Sequence, residues 1–248
     1  MHIPDEFLNT GSAASLAGVA TTAVVVAIQK VRKNFLEKVP VLKARLATFP
    51  NFGAGSDVSF ESRLSKMGRE KMMRMAAIGS LIFSAQMVNF PIGGGTSGHL
   101  LGGVLAALVL GPFEALLVMT AILSTQAFVF GDGGVVTLGA NIFNMGIIGA
   151  LGGYAFFRFL TKGSVSKKNF LKSAFVAAWI SVVMAAVVAS FEIALSGTKP
   201  LFIMLPAMTL VHVVIGFVEG VITVTVLSIL IKKGYVLAVF EKEETHEE

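Results

Sequence analysis

Hydrophobic residues along this chain fall in long blocks rather than in alternation. Apolar segments can be drawn at about 12–29, 75–90, 99–110, 113–130, 141–160, 173–195 and 205–231. Crossing the hydrocarbon layer takes roughly 20 helical residues, with a range of about 17 to 25, so the third segment is short and the second just adequate. The alternating pattern of a membrane barrel is absent, and a helix is the other element that satisfies its backbone inside lipid. The pattern predicts an all-α polytopic membrane bundle of seven transmembrane helices, a single transmembrane domain over 1–248.

Polar positions orient that bundle. Lys30, Arg32, Lys33, Lys38, Lys43, Arg45, Arg63, Lys66, Arg69, Lys71 and Arg74 lie between the first two segments, all but Lys30 and Arg74 in a region (31–72) that reads as a long loop. Lys162, Lys167, Lys168 and Lys172 form a second basic region, and Lys232 with Lys233 a third. The positive-inside rule puts all three in the cytoplasm. An even number of crossings must then separate Arg74 from Lys162, which makes Gly111-Pro112 a tight cytoplasmic turn between two spans. The N-terminus is expected outside and the C-terminus inside, with exterior loops at 91–98, 131–140 and 196–204.

Composition agrees. Hydrophobic residues are 54% and charged residues 14% of 248, with mean hydropathy +0.79, too little polar material to cover a soluble domain. This implies a multi-pass protein of the cell membrane. The net charge of +5 is explained by orientation, so the lipid bilayer is the expected partner and nucleic acid is not. There is no cysteine, which removes disulfides and thiolate metal sites. Residues 1–8 carry two acids and no Lys or Arg, unlike the basic start of a secretory signal, so the start is expected to be retained.

That start, Met1-His2-Ile3-Pro4-Asp5, carries the candidate chemistry. The Met1 amine and the His2 amide nitrogen close a five-membered ring on a metal. The same amide nitrogen and His2 Nδ1 close a six-membered one. His99, where the exterior loop enters the third segment, can supply a fourth nitrogen. A planar all-nitrogen set suits Ni(II) or Cu(II) and disfavours zinc. Asp5 is a nearby acid that would offset charge. Asn141 and Asn144 share a helix face at i, i+3 and could orient His99 or the tail from behind.

Gly93, Gly95 and Gly98 spell G-x-G-x-x-G, but they follow a membrane helix rather than a strand, so a dinucleotide site is not read here. Glycine in such number, here and in 131–140, suggests a lidded exterior pocket. Intramembrane ionisable residues are functional candidates by default, and these are Glu114, Glu192, His212 and Glu219. His212 and Glu219 lie two turns apart on one face. Ala76, Ser80 and Ser84 form a small-residue ladder that permits close helix approach, as do Ala13 with Ala17 and Ala23 with Ala27. The acidic end 241–248 reads as a solvated tail.

The chain resembles the CbiM/NikM family, the metal-binding substrate components (S components) of energy-coupling factor (ECF) importers for cobalt and nickel. The resemblance rests on Met1-His2-Ile3-Pro4-Asp5, on Gly95-Thr96-Ser97-Gly98-His99-Leu100, and on Phe130-Gly131-Asp132-Gly133-Gly134 with Thr137-Leu138-Gly139-Ala140-Asn141 and Asn144. It implies that Met1, His2 and His99 hold Ni2+ or Co2+ as the transported substrate, with Asp5, Ser97, Asn141 and Asn144 around them. It implies a transmembrane coupling protein and cytoplasmic ATPases as partners, docking on Ala76, Ser80 and Ser84, and a separate small CbiN/NikN-like subunit. Glu6 departs from the family, which commonly has glycine there. The chain has no Walker A motif, catalytic nucleophile or H-E-x-x-H, so it reads as a transporter subunit and not an enzyme. The competing reading is a self-sufficient proton-coupled carrier of divalent metal using His212 and Glu219.

Overall fold

Asn9 starts the first helix, its side chain accepting from Ser12 N at 2.8 Å and so satisfying one of the amide groups every helix start leaves open. The structure, a computed structural model, describes residues 2–44, 56–92, 96–161, 167–235 and 237–240, with side chains omitted at 38–44, 56–61 and 167–168. The first helix, α1 (Thr10–Phe35), runs into strand β1 (Leu36–Ala44). Strand β2 (Ser56–Leu64) pairs with β1 antiparallel, Leu36 opposite Leu64 and Ala44 opposite Ser56. Helix α2 (Lys66–Gln86) follows, its start capped by Ser65, whose hydroxyl accepts from Gly68 N at 2.9 Å.

A short hairpin of β3 (Phe90–Ile92) and β4 (Thr96–Gly98) leads to α3 (Gly103–Leu110). Helix α4 (Pro112–Thr125) continues into a π-helical turn, Gln126–Phe130. Helix α5 (Leu138–Asn141), a π-helical stretch (Ile142–Gly152) and α6 (Gly153–Leu160) form one continuous rod. The last two helices, α7 (Lys167–Leu195) and α8 (Leu201–Lys232), make a long hairpin. Their faces meet where Gly216 of α8 leaves room for Trp179 and Val182 of α7 and Gly220 for Phe175. Trp179 Nε1 donates to Val213 O at 3.0 Å across the interface. In lipid such packing, rather than exclusion from water, holds helices together.

Five of the described helices are long and apolar enough to cross a membrane: Thr10–Phe35, Pro112–Phe130, Leu138–Leu160, Asn169–Leu195 and Leu201–Lys232. The other two expected spans differ. α2 begins nine residues before the expected 75, inside the basic region. α3 is only eight residues, about 12 Å at the helical rise, and every one is buried. Backbone 99–102, expected to be helical, is an irregular segment, for which side chains supply the hydrogen bonds. The turn expected at Gly111-Pro112 is present, with Gly111 at φ 106° and Pro112 opening α4. The two β-hairpins depart from an all-α chain; the longer falls in 31–72, where the sequence predicts a long loop. The Gly93 and Gly95 positions, the tail 241–248 and, of the second basic region, Lys162 lie outside the described residues.

Candidate metal centre

The tail before α1 is pinned on top of the bundle through the main chain of Ile3. Ile3 N donates to Asn141 Oδ1 at 2.8 Å, and Ile3 O accepts from Thr137 Oγ1 at 2.6 Å, Gly134 N at 3.2 Å and Asn141 Nδ2 at 3.3 Å. Asp5 adds a second anchor. Its Oδ1 accepts from Val136 N at 2.8 Å and Thr137 N at 3.1 Å, just before α5. These amide groups belong to a helix start, where partial positive charge favours an anion. Asp5 thus locks the tail to the 131–140 loop.

Close approach here requires glycine. Gly133 lies at φ 88°, and a Cβ on it would sit 2.8 Å from His2 Nδ1. A Cβ on Gly134 would fall 1.9 Å from Asp5 Oδ1. With the loop packed this tightly, the His2 imidazole is driven inward until only 3% of the residue remains exposed.

There it meets His99, which is fully buried. The two ring centroids are 4.5 Å apart, with planes inclined at 31°. His99 Nδ1 lies 2.7 Å from Leu100 O. A carbonyl only accepts, so Nδ1 carries the proton and Nε2 presents a lone pair. That Nε2, and both ring nitrogens of His2, are buried without a hydrogen-bond partner. A buried polar atom left so costs about 1–3 kcal/mol, a cost that coordination of a cation removes. Burial also holds the His2 imidazole well below its usual pKa, which keeps it neutral and able to ligate.

Asp132 is the residue that sequence reasoning missed. Its Oδ2 lies 3.6 Å from His2 Nε2, and Asn89 Nδ2 donates to its carboxylate at 3.4 Å. Burial pushes the Asp132 carboxyl up. A carboxylate behind the outer nitrogen of a metal-bound imidazole fixes the ring and its tautomer. The available signal is an acid between two glycines, Gly131-Asp132-Gly133, in a glycine-rich exterior loop.

A cavity of about 680 Å³ opens above these groups, lined by His2, Asp5, Glu6, Ser97, Asp132 and Gly133 among others. Ser97 is half-buried in the β3–β4 hairpin opposite Pro91. Glu6 is exposed at the rim. Met1 lies outside the described residues. Among the described residues no group of three or more His, Cys, Asp or Glu side chains is placed to hold a metal ion, so two imidazoles need main-chain nitrogens to complete a set.

The remaining candidates separate. Asn144 Nδ2 donates to Glu192 Oε2 at 2.6 Å. His212 Nδ1 lies 2.7 Å from Met208 O. Glu219 is engaged elsewhere, its two oxygens accepting from Leu101 N and, at 2.9 Å, Gly102 N. The facing of His212 and Glu219 along α8 is therefore not a bonded pair. Ala76, Ser80 and Ser84 line the exposed α2 side of a groove of about 500 Å³ against α4.

Residues 47–235 match the CbiM family, described as the cobalt uptake substrate-specific transmembrane region. The chain belongs to this family. A relative from Archaeoglobus fulgidus, named a putative fused nickel transport protein NikMN, is 40% identical over 163 residues, 65% of this chain and 54% of its own length. The probable fused nickel transport protein LarMN of Lactiplantibacillus plantarum is 32% identical over 240 residues, covering 91% of this chain and 63% of its own. The chain thus spans less than two thirds of either relative. A crystal structure of a truncated transition metal transporter superposes with a TM-score of 0.74 at 28% identity, covering 94% of this chain and 99% of that one. Membership, with the five apolar helices, makes this a multi-pass membrane protein. The family match includes His99, Asp132 and Asn141 but begins after His2.

Proposed function

We propose that the chain is the substrate-binding membrane subunit of an ATP-driven ECF importer for Ni2+ or Co2+. It captures the ion on the outer face with the Met1 amine, the His2 amide nitrogen and imidazole, and His99. One observation carries this reading: two buried imidazoles 4.5 Å apart, three of whose nitrogens make no hydrogen bond, with His2 on a tail held by Ile3 and Asp5. The basic connections on one side support an outer N-terminus and a cytoplasmic C-terminus, with α2 and the short α3 completing seven helical passages. The transmembrane coupling protein and the cytoplasmic ATPases would supply the energy. A small CbiN/NikN-like subunit is a further partner, in keeping with the word "fused" in the names of the two relatives.

The competing carrier reading used His212 with Glu219, and the backbone contacts of Glu219 leave it less support. The test compares Ni2+ affinity of the native-start protein with one extended by three residues before Met1, since a single added residue would again leave an amine, two amides and the imidazole in chelating register. The extension should abolish tight binding, because the amine becomes an amide, whereas His99→Ala should weaken binding without removing it. Equal affinity of native and extended chains rules out the terminal chelate.

A further inference from the structure

His99 precedes an irregular stretch of backbone whose two successive peptide groups are held on both sides. In the first, Leu100 O accepts from His99 Nδ1 while Leu101 N donates to Glu219 Oε2. In the second, Leu101 O accepts from Gln86 Nε2 at 2.6 Å while Gly102 N donates to Glu219 Oε1. Gln86 is itself oriented: its Oε1 accepts from Gln126 Nε2 at 3.1 Å. Both glutamines are fully buried. The order of donors fixes the amides head to tail, from Gln126 through Gln86 to Leu101.

The placement of each residue has a cause. Gln86 is the last residue of α2, and Gln126 opens the π-helical turn after α4. A π-helical turn shifts side-chain register and recurs at functional sites. Glu219 reaches in from α8. Three helices therefore converge on two peptide groups that no regular element satisfies, deep in the bundle where an unmet carbonyl or N–H is costly. The imidazole of His99 is the group those peptides steer.

We infer that Gln86, Gln126 and Glu219 are positioning residues for His99, a clamp that aims its Nε2 at the ion. This rests on the chelate proposed above. None of the three touches the ion; each acts through the Leu100–Gly102 backbone. A residue that works only through His99 must lose its effect when His99 is absent, whereas one that merely supports the fold keeps it.

The experiment measures Ni2+ affinity of the full chain in detergent by competition with a chromogenic chelator, together with the ligand-field absorption of the Ni2+-loaded protein. Gln86→Leu and Gln126→Leu are each made in the native and the His99→Ala backgrounds. Gln86→Leu should weaken binding about tenfold, the lower end for groups that orient a metal-bound histidine. It should also shift the absorption band toward that of His99→Ala. In the His99→Ala background it should change nothing. Gln126→Leu should follow the same pattern more weakly and decides the matter alone if Gln86→Leu does not fold. Equal losses in both backgrounds, or no loss in either, overturn the clamp. Failure of the unmodified chain to bind Ni2+ overturns the chelate itself, and is seen before any variant is compared.

Discussion

Each imidazole of the site is neutral by construction, and the consequence for His2 can be signed. Burial holds its pKa well below the ordinary value of about 6.5, so the docked tail refuses a proton that the undocked tail accepts. Docking is therefore complete above pH 6.5 and is lost progressively as pH falls below it. In ion-free protein the amide protons of Ile3 and Val136, which bond to Asn141 and Asp5, should lose protection progressively as pH falls below about 6.5, after correction for intrinsic exchange. Constant protection would mean that His2 does not govern docking. Asp132 gives a second expectation. With its carboxylate 3.6 Å from His2 Nε2, Asp132→Ala should weaken Ni2+ binding about tenfold and Asp132→Asn less, since the amide keeps an acceptor; titration against a chelator checks both. His2 and His99 were legible because their chemistry is local. Asp132, Gln86 and Gln126 were not, because their partners lie 15 to 130 residues away.

At the scale of elements, the site is a loop folded over a tail, and its glycines set how closely the two can meet. Gly134→Ala would place a methyl 1.9 Å from Asp5 Oδ1 and 2.4 Å from Thr137 Oγ1, so Asp5 must leave the start of α5. The expected outcome is an undocked tail, with Ni2+ affinity lowered by about an order of magnitude or more and the melting temperature little changed. Gly18→Ala, which meets nothing within 4 Å on α1, should alter neither. Retained affinity in Gly134→Ala would show that the loop yields without disturbing the chelate. Hydropathy located five spans because length and apolarity suffice for them. It placed the start of α2 late, since only the apolar half registers and the Ser65 cap lies among Lys and Arg residues. It read 99–102 as helix because those residues are apolar. What bends them is the Glu219 carboxylate, 117 or more residues away. The β1–β2 hairpin escaped because a segment of mixed charge carries no span signal.

For the whole molecule, the proposed coupling protein would engage the bundle from its side, and the α2–α4 groove is the face proposed for it. Its polar atoms are already satisfied: Ser80 Oγ donates to Ala76 O at 2.8 Å and Ser84 Oγ to Ser80 O at 2.9 Å. A helix lying there would meet small side chains and apolar walls from Phe83, Leu117 and Ile122, the surface on which membrane helices pack through shape. Filling it should separate capture from transport. Ala76→Leu with Ser80→Leu should leave Ni2+ affinity within about twofold, because neither residue touches the tail or the His99 loop. The same pair should abolish ATP-dependent Ni2+ uptake when the chain is reconstituted with its coupling protein and ATPases, while Val19→Leu on the exposed face of α1 should not. Undiminished uptake by the filled groove would place the docking face elsewhere on the bundle. A parallel loss of affinity would instead show that the groove and the ion site share one packing unit.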